Sequence, residues 1–323
     1  MTVRRVVTSV CFLLCIGWVP PAKAQTPANV SPIVLRANAD AADFRLNEGF
    51  TLRRQVQEAQ IRFVATDATG KPVLGLHLED VEVFDDQVRV PEVKSFALSR
   101  YQPLELGVLV DLSESIGSQQ QTEALMAADL LGDIFDSQRD EAFAVGFSSK
   151  ARLLQPETTD IKLIRDALLH NPGHQGLTAL FDALVDTCRT EFARADGDGR
   201  QRILLLFSDG EDTLSMHGLD DAVGEALRAG VTVYAVTTAY RESDGFRILR
   251  RLAEQTGGKV YVIPKKKDLD TLRVAMSESV RGEYTITFRP ATMTAGFHPV
   301  RVEVPGHHDL DLRAISGYYM GTE

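Results

Sequence analysis

Five oxygen-bearing residues stand out by type and spacing. They are Asp111, Ser113 and Ser115 in the run Asp111-Leu112-Ser113-Glu114-Ser115, Thr178 in Gly176-Leu177-Thr178, and Asp209 in Ser208-Asp209-Gly210. Two carboxylates and three hydroxyls, with no thiolate and no required imidazole, form a hard donor set. Such a set suits Mg²⁺ or Mn²⁺, which take about six oxygens in octahedral geometry. Only Asp111 and Asp209 carry charge, and hydroxyls are weak neutral ligands. An ion held this way keeps at least one position for water or an incoming anion, and stays electrophilic enough to capture a partner's carboxylate. Each piece also has a plainer reading. Asp111 and Ser113 suit the cap of a following helix, and Asp209-Gly210 suits a turn.

The elements that must position these residues decide between the two readings. Leu106 to Val110 is almost wholly apolar, as expected of a strand covered on both faces. A helical stripe follows, through Leu125, Met126, Leu130, Leu131, Ile134 and Phe135. Phe143–Phe147 is a second strand, and so few residues separate it from Arg152-Leu153-Leu154 that those two must pair as a hairpin. Helical patterns over 160–169 and 178–193 lead to the strand Ile203–Phe207. Helix 218–229, strand 231–236, helix 245–256, strand 260–263 and helix 268–281 complete the run. The alternation predicts an α/β fold: a doubly wound, mostly parallel six-stranded sheet with one antiparallel edge strand. Asp111 and Asp209 then follow the first and fourth strands. Those strands commonly flank the switch point, where a crevice opens at their carboxyl ends. Placed together there, the residues point to a metal site.

Asp111-x-Ser113-x-Ser115, with Thr178 and Asp209 in this order and spacing, resembles the metal-ion-dependent adhesion site of von Willebrand factor type A domains. The resemblance spans about residues 102–281 and fills all five ligand positions of that family. It implies a domain that grips an acidic residue of another protein through the ion. Ser113, Ser115 and Thr178 would hold the metal directly, and the aspartates would often act through water. Some members shift a helix when the ligand arrives.

On either side of this block the pattern is that of β structure. Gln60–Ala65, Val73–Leu76 and Val81–Phe84 are separated by turn residues, including Asp85-Asp86. After Gly282 come Tyr284–Phe288, Val300–Val304 and Asp311–Ile315. A β, α/β, β order predicts a small β-sandwich-like domain, residues 46–100 and 283–323, with the α/β domain, 101–282, inserted into it. The segment Leu76-x-x-Glu79-Asp80-Val81-x-Val83-Phe84-Asp85-Asp86 and the late Gly317-Tyr318-Tyr319 are similar to a set of secreted bacterial proteins of acidobacterial type.

The amino end begins with Arg4-Arg5, an apolar run from Val6 to Val19, and Pro20-Pro21-Ala22-Lys23-Ala24. This reads as a secretory signal peptide, residues 1–24, followed by a linker over 25–45. The apolar run is short for a membrane span, so the expectation is a secreted or periplasmic protein with no span after signal removal. The chain carries 35 basic and 45 acidic residues. Removing Arg4, Arg5 and Lys23 leaves 32 against 45, a net charge of −13. That balance argues against nucleic acid or anionic lipid as the main partner. Cys11 and Cys15 leave with the signal, so Cys188 remains alone and no internal disulfide can form. Its register with Leu180, Leu184 and Phe192 makes it a core residue.

Asp196-Gly197-Asp198-Gly199 hints at a calcium loop, but its twelfth position is Phe207, not Glu, so a plain connection is expected. His174, four residues before Thr178, reads as a surface residue, His307-His308 has no third ligand nearby in sequence, and Lys265-Lys266-Lys267 reads as a solvated helix start. Glu211 and Asp212 read as solvated loop residues or as holders of waters around the ion. The function expected is therefore a protein-binding module for adhesion or assembly, not an enzyme. Against a Mg²⁺-dependent hydrolase or phosphatase, neither a second Asp two residues after Asp111 nor a Gly-x-Ser-x-Gly elbow appears, and no base is clearly paired with a nucleophile. A third possibility is an ion that only steadies the cleft.

Overall fold

A computed structural model describes residues 44–46, 50–52, 58–113, 120–170, 176–192, 199–263 and 269–320. The signal-peptide residues, nearly all of the expected linker, Ser115, His174, Asp196–Asp198 and Lys265–Lys267 lie outside them. In chain order the elements begin with β1 (Phe44–Leu46) and β2 (Phe50–Leu52), which pair as a hairpin. Next come β3 (Ala59–Thr66), β4 (Glu82–Asp85), β5 (Val88–Arg89) and β6 (Val93–Leu98).

The α/β block runs β7 (Leu104–Asp111), α1 (Gln120–Ile134), β8 (Glu141–Phe147), β9 (Ala151–Thr158), α2 (Ile161–Leu169) and α3 (Leu180–Thr190). It continues through β10 (Gln201–Phe207), α4 (Leu219–Arg228), β11 (Val231–Thr237), α5 (Asp244–Gln255), β12 (Val260–Val262) and α6 (Leu269–Arg281). Four strands follow: β13 (Tyr284–Phe288), β14 (Gly296–Glu303), β15 (Asp311–Ala314) and β16 (Gly317–Met320).

The central sheet has the order β12-β11-β10-β7-β8-β9, with every pairing parallel except the edge pair β8–β9. This is the expected mixed six-stranded sheet. All eight residues of β7 and all seven of β10 are buried, which explains their nearly unbroken apolar character. One core lies between the sheet and α1, α2 and α6, through residues such as Leu130, Ile164 and Val280. The other lies against α3, α4 and α5, through Leu184, Ala226 and Leu249. Cys188 is buried in the second core, where desolvation pushes its thiol up to about 12. No helix of the described residues is long and apolar enough to cross a membrane.

Strands from both flanks of the block interleave. One antiparallel sheet has the order β15-β3-β13-β6 and the other β16-β14-β4-β5. Their facing residues, among them Ile61, Phe63, Val83, Ile286, Phe288 and Val302, form a third core. Val73–Leu76 departs from expectation: it is not a strand. The Val73 amide donates to the Ala65 carbonyl at 2.8 Å, and the Tyr284 hydroxyl donates to the Val73 carbonyl at 2.9 Å and accepts from the Leu76 amide at 3.1 Å. The β4–β5 turn places Asp86 and Gln87 in the left-handed region, with φ of 48° and 68°, as a tight hairpin turn requires. The α/β block is tied to this pair of sheets by the Ser316 amide to the Gln255 carbonyl, 2.9 Å, and by Arg228 stacked 4.0 Å over the Tyr319 ring.

Candidate metal centre

β7 and β10 are parallel neighbours, and the crossovers diverge between them, so the crevice opens at their carboxyl ends. Asp111 is the last residue of β7 and is fully buried. Its Oδ1 accepts from the Ser113 amide at 2.9 Å, and its Oδ2 accepts from the Ser208 hydroxyl at 3.0 Å. Ser113 is itself buried, two residues beyond the strand. The Ser208 hydroxyl in turn accepts from the Gly210 amide at 3.0 Å, and Asp209 Oδ1 accepts from the Glu211 amide at 3.0 Å. The turn that presents Asp209 is thus braced on both sides.

Gly210 makes this turn possible. Its φ is +82°, and a Cβ there would collide with the Gly245 carbonyl at the start of α5. Only glycine tolerates both conditions.

Thr178, also buried, precedes α3. The loop after Asp209 wraps around it. The Thr178 carbonyl accepts from the amides of Thr213 and Leu214 at 2.8 and 3.0 Å, and its own amide donates to the Thr213 hydroxyl at 3.0 Å. Two successive carbonyls at the end of β8 hold both ligand loops. Phe147 accepts from the Leu112 amide at 2.7 Å, and Ser148 accepts from the Ala179 amide at 2.8 Å.

Asp111, Ser113 and Asp209 are accordingly brought into one electrostatic neighbourhood, and Thr178 is linked to it through the 209–214 loop. Ser115, the remaining member of the set, lies outside the described residues. Burial pushes the Asp111 carboxyl up to about 6. Hydrogen bonds from Ser113 and Ser208 oppose that rise, and the nearby charge of Asp209 adds to it. A buried carboxylate facing a second carboxylate and lined by hydroxyls is short of positive charge. These residues fit a hard divalent cation.

Sequence reasoning missed Ser208. The only signal for it is that it follows Phe207, which is in register with Val110, so Ser208 stands opposite Asp111. Asp212 is a correction. It is not a solvated loop residue: its Oδ1 accepts from the Leu180 amide at 2.8 Å, capping α3 from another loop. Asp182 answers from the helix, taking the amides of Met216 and His217 and the His217 Nδ1 at 2.7 Å. Ser148 and Ser149 sit in the β8–β9 turn.

The solved structures that resemble this fold share little sequence with it. BatB from Bacteroides thetaiotaomicron is 16% identical with a TM-score of 0.45, over 55% of this chain and 99% of that one. An aerotolerance-related membrane protein from Bacteroides fragilis is 15% identical with a TM-score of 0.46, over 55% and 98%. Proximal thread matrix protein 1 from the mussel byssus, with a zinc-occupied MIDAS motif, is 16% identical with a TM-score of 0.47, over 60% and 49%. No curated protein matches the chain. The sequence profile of the von Willebrand factor type A domain, however, matches residues 105–274, more than half of the chain, and takes in every element of the crevice just described. On that match the protein belongs to the von Willebrand factor type A domain family.

Proposed function

We propose that this protein binds a partner protein outside the cytoplasm, through a Mg²⁺ or Mn²⁺ ion held by Asp111, Ser113, Ser115, Thr178 and Asp209. An acidic side chain of the partner completes the coordination. The observation that carries this reading is the buried Asp111 carboxylate, aimed by Ser113 and Ser208 and facing the charge of Asp209. A divalent ion satisfies that arrangement, and two carboxylates leave it room to attract a third. The surroundings suit protein capture. Leu177 beside Thr178, and Leu214 and Met216 on the wrapping loop, are exposed by 56, 45 and 94%. Exposed apolar side chains around an ion that recognises an acid give a partner both an anchor and a desolvated rim. Removal of residues 1–24 as an export signal belongs to the same proposal.

The test combines ion binding with capture. Asp111→Ala and Asp209→Ala should abolish calorimetric Mg²⁺ binding, and Thr178→Ala should weaken it while the charge stays. In pull-downs from a cell-envelope extract, capture by the wild type should disappear with chelator and with Asp111→Ala. Chelator-insensitive capture by folded Asp111→Ala protein would overturn the mechanism and leave the ion a merely structural role. Mg²⁺-dependent turnover of a phosphate ester, lost in Asp111→Ala, would favour a hydrolase.

A further inference from the structure

Outside the Asp111 crevice, three potential ligands converge in the β sandwich. Asp85 ends β4, Asp86 begins the β4–β5 turn, and His298 lies in β14. One donor atom from each lies within 4.8 Å of the other two. Asp85 and His298 are buried, with exposures of 0 and 1%, while Asp86 reaches solvent.

The tautomer of His298 follows from its neighbours. Nε2 lies 2.7 Å from the Thr294 carbonyl, which can only accept, so Nε2 carries the hydrogen. The Thr294 hydroxyl is a more distant neighbour at 3.4 Å. In the neutral ring Nδ1 is then a bare lone pair. It faces Asp86 Oδ2 at 3.0 Å and Asp85 Oδ1 at 3.6 Å. A lone pair and two carboxylates repel one another unless a cation lies between them.

A proton on Nδ1 would supply that charge, but the geometry is wrong for it. Nδ1 has no hydrogen-bond partner among the described residues, because the carboxylate oxygens stand off the ring-nitrogen axis. A metal has no such requirement, since it subtends roughly 90–110° between neighbouring ligands. Zinc bonds of about 2.0–2.2 Å hold adjacent donor atoms roughly 3.0–3.5 Å apart, close to the two separations between Nδ1 and the carboxylate oxygens.

The surroundings match those of a metal ligand set. A ligating histidine ordinarily donates its other ring N–H to a carbonyl, and a ligating carboxylate is itself hydrogen-bonded. Asp85 Oδ1 accepts from the Tyr318 hydroxyl at 3.1 Å, and Oδ2 accepts from the Ala291 amide at 2.8 Å. The Tyr318 ring also stacks on the imidazole, centroids 5.2 Å apart. We propose that Asp85, Asp86 and His298 form a second cation site, for a borderline divalent ion of the zinc class, which pins the β4–β5 turn to β14. Two carboxylates neutralise the ion, the imidazole excludes Mg²⁺ as the preferred guest, and the solvent side at Asp86 leaves a position for water. The site joins residues that precede the α/β block to one that follows it. It would thus staple the sandwich that frames the block, in a chain whose described cysteine is single and buried.

The test uses the full chain carrying Asp111→Ala, which separates this site from the first. Zn²⁺ titration should show one equivalent bound, and a melting temperature raised by several degrees and restored by EDTA. His298→Gln should weaken binding at least a hundredfold. Asp86→Asn, on the exposed turn and therefore safe for folding, should weaken it at least tenfold. Absence of Zn²⁺ uptake by folded Asp111→Ala protein would overturn the proposal. So would binding that survives both substitutions, or that depends instead on the exposed His307-His308 pair.

Discussion

The Ser208 hydroxyl donates to Asp111 Oδ2 across the junction of β10 and β7, at 3.0 Å and out of contact with solvent. Because the same hydroxyl accepts from the Gly210 amide, it ties the two carboxylate-bearing loops into one unit. Ser208→Ala removes that orienting bond without touching a proposed ligand. Supporting bonds of this kind contribute about 10–100-fold to metal affinity. Calorimetric titration should show Mg²⁺ affinity falling by about tenfold, with the melting temperature nearly unchanged when metal is present.

The raised Asp111 carboxyl predicts an unusual pH response in chelator. Its value in the folded chain, about 6, lies above the ordinary 3.8. Protonation therefore favours the folded form. The contribution is fully present below pH 3.8 and is lost as pH rises through 6. Asp111→Asn mimics the protonated acid. Without metal, it should be more stable than wild type at pH 7, by up to about 3 kcal/mol, and the difference should vanish near pH 4. Saturating Mg²⁺ should reverse the order at pH 7. Urea titrations at the two pH values provide the measurement.

Gly210→Ala should be costly for two separate reasons, a left-handed φ of +82° and a collision with the Gly245 carbonyl. Strain in that region of backbone space alone costs about 1–3 kcal/mol, and the clash adds to it. Gly70 offers an internal control: it has the same φ of +82° but open space where the Cβ would go. Thermal melts should show a clearly larger drop for Gly210→Ala than for Gly70→Ala, and only the former should lose Mg²⁺ binding.

Cys188 should behave as a silent reporter. Burial and a thiol pushed up to about 12 leave almost no thiolate at neutral pH. A thiol-reactive disulfide reagent should leave the native protein unlabelled for hours and react fully in denaturant. Rapid labelling of native protein would mean that the α3 face opens readily.

Much of this architecture was written in local pattern. β7 and β10 announced themselves because strands covered on both faces carry unbroken apolar runs, and β9 followed from the few residues between it and β8. Other features depended on distant neighbours. Val73–Leu76 has the composition of a strand, but a tyrosine more than two hundred residues away takes the Val73 carbonyl and the Leu76 amide in place of a neighbouring strand. β6, Val-Lys-Ser-Phe-Ala-Leu, lies at a sheet edge with three of its six residues exposed, so no clean alternation marks it. In the crevice, the aspartates and hydroxyls were readable as a motif. Ser208 was not, because its role comes from the register between two strands. The trio Asp85, Asp86 and His298 was equally hidden, for its members come from opposite flanks of the α/β block.

The way the chain enters and leaves the α/β block has a mechanical consequence. β6 and β13 are antiparallel neighbours, with Leu98 opposite Tyr284, so both connections depart from the same end of one sheet. A tug on the crevice face would travel down both connections and draw these two strands together along their own axes. The ladder between β13 and β3 would then be loaded in shear, with its backbone bonds sharing the strain at once instead of unzipping one at a time.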